Sequence, residues 1–91
     1  MMSDQTDVHT IEDEIFEILD SVVRLRARPR PLAPSDDLYA AGLSSLATVD
    51  LMLAIEDRFG IEFTTEWLNR RTFGSVAMLR QAVVALKENA P

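Results

Sequence analysis

Hydrophobic and polar residues repeat with the 3.6-residue period of an α-helix along three long segments of the chain. The first segment has Thr10 at its start and Asp13 three residues later, the spacing of a capping box. We therefore predict that Thr10 is the N-cap of the first helix and that residues 1–9 form a disordered lead. The apolar stripe of this helix comprises Ile11, Ile15, Phe16, Ile18, Leu19, Val22, Val23 and Leu25.

A proline-rich segment, residues 28–34, cannot continue the first helix. Its prolines lack amide donors and disfavour helical backbone in the residues before them. We predict a long first loop, held over the core by Leu32, Leu38 and Tyr39. The arginines around it allow two interpretations, an anion site or a solvated counterbalance to the acidic first helix, and we favour the second. These arginines are Arg24, Arg26, Arg28 and Arg30.

Two more long helices are predicted after the loop. An apolar-periodic segment begins directly behind Ser44 and Ser45, both favoured N-cap residues, and Gly60 suits the C-terminal end of that helix. Ser75 opens the last helix, whose apolar residues keep helical spacing. These residues are Val76, Leu79, Val83 and Leu86.

The complete pattern predicts an all-α domain. Thr64 or Thr65 begins a short helix around residues 66–68, and no segment has the alternation of a useful β-strand. We expect a four-helix bundle, with three long helices and one short helix, in which the long first loop joins the first two. The domain spans residues 10–88, and residues 89–91 form a C-terminal tail.

The second helix has two faces of different character. At 100° per residue, an arc of about 100° contains Leu51, Ile55 and Phe59 and is an ordinary core face. The arc of about 140° on the side of Ser45 mixes bulky aliphatic residues with carboxylates. Exposed aliphatic residues surrounded by charge indicate a contact site for a partner. The residues on this second arc are Leu46, Val49, Asp50, Leu53, Glu56 and Asp57.

Charge and composition narrow the class of partner. Nine Lys and Arg residues against fifteen Asp and Glu residues give a formal net charge of −6, which repels nucleic acids and attracts basic surfaces. No segment is apolar enough for a membrane span, and the acidic N-terminus is unlike a signal peptide, so we expect a cytoplasmic protein without membrane insertion. The chain has no cysteine, so any thiol chemistry would need an attached group.

The segment from Asp36 to Leu46, with Gly42 before Ser44 and Ser45, resembles the prosthetic-group site of acyl carrier proteins. The resemblance extends over most of the domain, and Asp37 to Phe63 is its most specific part. It implies that Ser45 receives 4'-phosphopantetheine from coenzyme A and holds an acyl or aminoacyl group as a thioester. It also implies that the family's recognition acids are Asp50, Glu56 and Asp57, and that its apolar partner contacts are Leu46, Val49 and Leu53.

The same resemblance implies the partners. We expect a phosphopantetheinyl transferase and loading and transfer enzymes with basic docking patches, and we expect the carrier to be a monomer. Ser44 replaces the aspartate that usually precedes the modified serine, and Ala47 and Arg58 occupy two further positions that are usually acidic. Trp67 is also unlike a housekeeping fatty-acid carrier. These departures indicate a specialised carrier, in a lipid or secondary-metabolite pathway.

The sequence allows three interpretations other than carriage: an enzyme, a metal site and a carrier-like module without a prosthetic group. An enzyme is disfavoured because the single histidine, His9, lies in the predicted lead, so a serine nucleophile would have no base. A metal site is disfavoured because adjacent carboxylates such as Asp36 and Asp37 do not have the spacing of a calcium loop. The alternative is a carrier-like helical module that binds or regulates a partner without a prosthetic group, in which a serine at the start of the second helix is only a cap.

Overall fold

The computed structural model describes residues 3–23 and 32–88, and these form an all-helical fold. Helix α1 spans Ser3–Val22, helix α2 spans Ser45–Phe59 and helix α3 spans Val76–Glu88. Single 3₁₀ turns lie between α2 and α3, at Thr65–Trp67 and at Thr72–Gly74. No strand occurs in these two described ranges, so the all-α prediction is confirmed.

Helix α1 begins earlier than the sequence pattern indicated. Its first residue is Ser3, so Thr10 lies inside the helix and the prediction that Thr10 is the N-cap is wrong. The backbone of residues 3–9 is likewise helical where a disordered lead was predicted. These residues include neither glycine nor proline, so no residue in this segment interrupts helical backbone.

The three α-helices enclose a single apolar core. The side chains with essentially no exposed surface are Ile15 and Leu19 of α1, Leu51 and Ile55 of α2, and Val76, Leu79 and Val83 of α3. Each such aliphatic side chain contributes about 1.5–3 kcal/mol of transfer free energy when it leaves water. The predicted core face of α2 is confirmed, with Met52 and Phe59 half-buried against the same core. The buried residues of α3 are Val76, Leu79, Ala82, Val83 and Leu86.

The described part of the first loop, from Leu32 onward, is tied to the C-terminal third of the chain. Leu32 and Leu38 are buried and Tyr39 is half-buried, which confirms their predicted role as anchors. The Leu38 amide donates to the Gly74 carbonyl at 2.8 Å, and the Ala77 amide donates to the Pro34 carbonyl at 2.9 Å. The four alternating arginines, residues 24–30, lie outside the described residues.

The segment predicted to form the short helix is less regular than expected. Thr64 is the residue before the first 3₁₀ turn, but its side chain makes no capping hydrogen bond. The Asn69 carboxamide oxygen accepts hydrogen bonds from the Thr72 amide and hydroxyl, at 2.9 and 3.1 Å. Such side-chain bonds compete with helical backbone bonds, so two short turns form here. The fourth helix of the bundle stays a prediction.

The start of α3 agrees with the sequence pattern. Ser75 precedes the helix in extended backbone conformation, and its hydroxyl accepts a hydrogen bond from the Met78 amide at 3.2 Å. This satisfies one of the amide donors that a helix leaves free at its N-terminus. The prediction that Ser75 opens the last helix is therefore confirmed.

Candidate functional site

A tight turn leads the loop into α2. The Asp37 carboxylate accepts hydrogen bonds from the amides of Tyr39 and Ala40, at 2.9 and 3.3 Å. Gly42 follows with φ of 113°, a backbone conformation that side-chain-bearing residues rarely adopt. The Leu43 amide then donates to the Leu38 carbonyl at 2.9 Å and closes the turn. These contacts determine where the first residues of α2 lie.

The two adjacent serines have different roles at the start of α2. Ser44 is the N-cap: its backbone is extended, and its hydroxyl accepts a hydrogen bond from the Ala47 amide at 3.1 Å. Ser45 is the first helical residue and is exposed. Within the described residues, its hydroxyl has no hydrogen-bond partner. An exposed, uncommitted hydroxyl at a helix N-terminus suits an anionic group, because the dipole and free amides stabilise negative charge there.

The face of α2 on the Ser45 side is exposed, as the helical projection predicted. Leu46 is 77% exposed, Val49 48% and Leu53 53%, and we call these three residues the apolar strip. Asp50 and Asp57 are exposed beside it. Contiguous exposed aliphatic side chains bordered by acids are a feature of protein–protein contact sites.

Glu56 differs from the other carboxylates of this face because it stabilises the fold. Gly60, with φ of 66°, ends α2 in the left-handed conformation and reverses the chain, as predicted for its position. The following residues then pass the last turn of the helix, where the Glu56 carboxylate accepts a hydrogen bond from the Phe63 amide at 2.9 Å. Glu56 is half-buried in this contact. The helical projection placed it on the partner face and missed this bond.

Arg58 also forms ion pairs within the domain. Its guanidinium lies 3.0 Å from the Glu14 carboxylate and 3.3 Å from the Glu17 carboxylate, both on α1. The hydrogen bond that Arg58 donates to Glu14, followed by the one that it donates to Glu17, raises the pKa of Arg58 above its already high usual value. The residue that replaces a usual acid near the end of α2 therefore joins α2 to α1, a contact that the sequence pattern did not indicate.

An apolar cleft of about 250 Å³ opens between α2 and the segment that follows the first 3₁₀ turn. Its α2 wall consists of Thr48, Val49 and Met52, which follow Ser45 by one to two helical turns. Leu68 and Arg70 belong to the opposite wall. This cleft could not be predicted from helical periodicity, because it depends on the packing of distant segments.

Tyr39 and Arg70 meet at the edge of this cleft. The Arg70 guanidinium carbon lies 3.8 Å from the centroid of the Tyr39 ring, and the Tyr39 hydroxyl donates to the Arg70 carbonyl at 2.9 Å. Burial raises the pKa of the Tyr39 phenol above 10.0, the nearby Arg70 charge lowers it, and Asp37 raises it. The contact joins the first loop to the segment before α3.

Across residues 3–23 and 32–88, no cluster of three or more His, Cys, Asp or Glu side chains could hold a metal ion. None of the helices described is both long and apolar enough to cross a bilayer.

Comparison with known proteins defines the class. Residues 10–79 match the family described as the phosphopantetheine attachment site. The chain therefore belongs to the phosphopantetheine-binding carrier protein family. This confirms the predicted carrier function and 4'-phosphopantetheine cofactor, and it confirms that the protein is a carrier and not an enzyme.

Individual relatives are similar to this chain over most of its length. The chain is 46% identical over 69 residues to an aminoacyl carrier protein of Agrobacterium fabrum, covering 76% of this chain and 83% of the relative. It also resembles a carrier protein from Agrobacterium tumefaciens, crystallised with an engineered Bradyrhizobium japonicum glycine:[carrier protein] ligase and ATP. That match has a TM-score of 0.76 and 43% identity and covers 82% of this chain and 97% of the other.

A solution structure from Agrobacterium tumefaciens is similar as well. Its TM-score is 0.68 at 42% identity, with 85% of this chain and 93% of that chain covered. At this level of identity the likeness extends beyond fold to family. Two of these three relatives are named as carrier proteins, and one of them was crystallised in complex with a glycine:[carrier protein] ligase.

Proposed function

We propose that Ser45 is the attachment residue for 4'-phosphopantetheine. The observation that supports this is the division of roles between the two serines: the Ser44 hydroxyl caps α2, and the Ser45 hydroxyl is exposed and uncommitted. A phosphodiester on Ser45 would lie at the N-terminus of α2, where the helix dipole stabilises its negative charge. When attached, the group supplies a thiol that holds cargo as a thioester.

The test compares Ser45→Ala with Ser44→Ala. Each protein is incubated with coenzyme A, Mg²⁺ and a broad-specificity phosphopantetheinyl transferase, and its intact mass is measured. Wild type and Ser44→Ala gain the mass of one phosphopantetheine group, and Ser45→Ala does not. Ser44→Ala should lose about 1 kcal/mol of stability because the cap is removed. Modification of Ser45→Ala would contradict the assignment, and an unmodified wild type would favour the module without a prosthetic group.

We propose that the cargo is an amino acid. The support is the 46% identity to an aminoacyl carrier protein and the likeness to a carrier solved with a glycine:[carrier protein] ligase. In the test, modified protein is incubated with the Bradyrhizobium japonicum ligase, ATP and single amino acids, and the thioester is detected by mass. Glycine or another small amino acid should be loaded. Elongation of a fatty acyl chain on this protein at housekeeping rates would instead refute a specialised, aminoacyl carrier.

We propose that loading enzymes and the transferase dock on α2 through a basic, partly apolar surface. The apolar strip, with Asp50 and Asp57 beside it, is exposed next to Ser45 and complements such a surface in charge and hydrophobicity. Glu56 contributes to this face mainly by holding the turn after α2. The protein would act as a monomer in the cytoplasm, where coenzyme A and ATP are available for both reactions.

A further inference from the structure

The exposed apolar surface continues beyond α2 to the far wall of the cleft. Val49 of the apolar strip lines the cleft, and Leu68 lines it from the opposite side and is 47% exposed. A side chain from a partner that docks on α2 therefore meets apolar surface on both walls. Arg70 also lines this far wall. It is an exposed cation on a chain whose formal net charge is −6.

Arg70 is a cation held in place without a counter-ion among the described residues. The face of its guanidinium packs on the Tyr39 ring, and the Tyr39 hydroxyl binds the Arg70 carbonyl. A guanidinium has five N–H donors, all at its edge, and a stacked ring does not occupy them. Arg58 and Arg80, by contrast, each pair with acids of α1. The Arg70 edge thus presents fixed, unpaired donors beside an apolar cleft.

We propose that Arg70 is a docking residue that binds a carboxylate on the surface of the loading enzyme. A planar guanidinium with free edge donors matches a carboxylate bidentately, and the stack on Tyr39 lowers the ordering cost of forming that pair. The docking surface then carries charges of both signs, because Asp50 and Asp57 attract basic groups and Arg70 binds an acidic group. Opposite charges on two sides of an apolar contact fix the orientation of a docked carrier. This inference rests on the proposed docking at α2.

The main competing occupant is the phosphodiester on Ser45 itself. Thr48 and Val49 lie about one helical turn beyond Ser45 and line the same cleft as Arg70. If Arg70 bound that phosphodiester, the contact would exist in the modified protein alone. If Arg70 binds an enzyme carboxylate, the contact appears only on docking. This difference separates the two by experiment.

The test uses the Bradyrhizobium japonicum glycine:[carrier protein] ligase as the probe. Arg70→Glu and Arg70→Lys are compared with Arg71→Glu, a matched control with the same charge change at an exposed neighbour that does not line the cleft. We expect Arg70→Glu to raise the KM for the modified carrier about tenfold, the effect of losing and opposing one oriented charge pair. Arg70→Lys should have an intermediate effect, because it keeps the charge and loses the fork.

Equal effects of Arg70→Glu and Arg71→Glu, or no effect of either, would overturn the proposal. A change in the ³¹P resonance of the modified protein on Arg70→Gln, without ligase present, would also overturn it in favour of the phosphodiester. Direct binding of the unmodified carriers to the ligase gives the same ranking of variants without needing Ser45. Failure of attachment at Ser45 would therefore be recognised by mass and would leave the Arg70 test intact. Thermal melts of each variant verify that the fold is retained.

Discussion

Glu56 and Asp57 are adjacent acids on α2, and the structure predicts opposite consequences for their removal. The Glu56 carboxylate accepts a hydrogen bond from the part-buried Phe63 amide at 2.9 Å, whereas Asp57 is exposed. A hydrogen bond to a charged group contributes about 1.5–3 kcal/mol, and its loss also leaves the amide unsatisfied. Since water reaches this site in part, we expect Glu56→Ala to cost about 1.5–2 kcal/mol.

The matched control is Asp57→Ala, which should change the free energy of unfolding by no more than about 0.5 kcal/mol. Urea denaturation measures both values. A thermal melt should show a Tm about 6–16 °C lower for Glu56→Ala, given the usual shift for a domain of this size. Glu56→Gln retains an acceptor oxygen and should recover part of the loss, because a neutral hydrogen bond contributes about 0.5–1.5 kcal/mol.

In a loading assay, Asp57 should contribute more than it does to stability. Asp57→Ala should raise the KM of the loading enzyme in low salt with little change in Tm, because Asp57 is free to meet a basic partner. Equal stability of Glu56→Ala and Asp57→Ala would show that the Phe63 contact contributes nothing.

Three more outcomes are expected. Leu51→Ala should cost about 2–5 kcal/mol of stability in urea denaturation, because Leu51 is fully buried. Leu53→Ala should leave stability unchanged and weaken loading, because Leu53 is exposed. The reverse ranking would mean that the two faces of α2 are assigned the wrong way round. Tyr39, the single tyrosine, should titrate above pH 10.0 by ultraviolet absorbance in the native state. Burial raises the native pKa of Tyr39. The stability that the neutral phenol contributes is therefore present below pH 10.0 and is lost as the pH rises through the native pKa. A native titration midpoint at or below that of the unfolded chain would contradict this expectation. Arg58→Ala should lower the Tm in low salt, and this difference should disappear in high salt. The reason is that salt screens the ion pairs of Arg58 with Glu14 and Glu17. A loss of Tm that does not depend on salt would indicate that the side chain contributes through packing instead.

Local signals were sufficient for α2, α3 and the exposed serine. Ser44, Gly60 and Ser75 each act within a few residues of their own position, as caps or helix ends, so their chemistry is readable from neighbouring residues. The start of α1 was not readable in this way. Thr10 and Asp13 have the spacing of a capping box, but nothing before them breaks a helix, and the helix continues to Ser3.

Contacts between distant segments were beyond the reach of periodicity. The Tyr39 hydroxyl reaches the Arg70 carbonyl across 31 positions of sequence, and Arg58 reaches Glu14 across 44. Both contacts depend on how the helices and loops pack, which a helical projection does not contain. The same limit explains why the projection did not show the hydrogen bond between the Phe63 amide and Glu56, because the two meet only after Gly60 reverses the chain.

The electrostatic character of α2 is therefore weaker than its sequence suggests. Glu56 binds a backbone amide and Arg58 pairs with α1, which leaves Asp50 and Asp57 as its exposed acids. Each exposed ion pair with a partner is worth about 0.2–1 kcal/mol. Covering one aliphatic side chain fully is worth about 1.5–3 kcal/mol, and the apolar strip has three that are half to three-quarters exposed. If partners dock on α2 as proposed, their affinity comes mainly from the apolar strip, while the two aspartates and Arg70 determine how the partner is oriented.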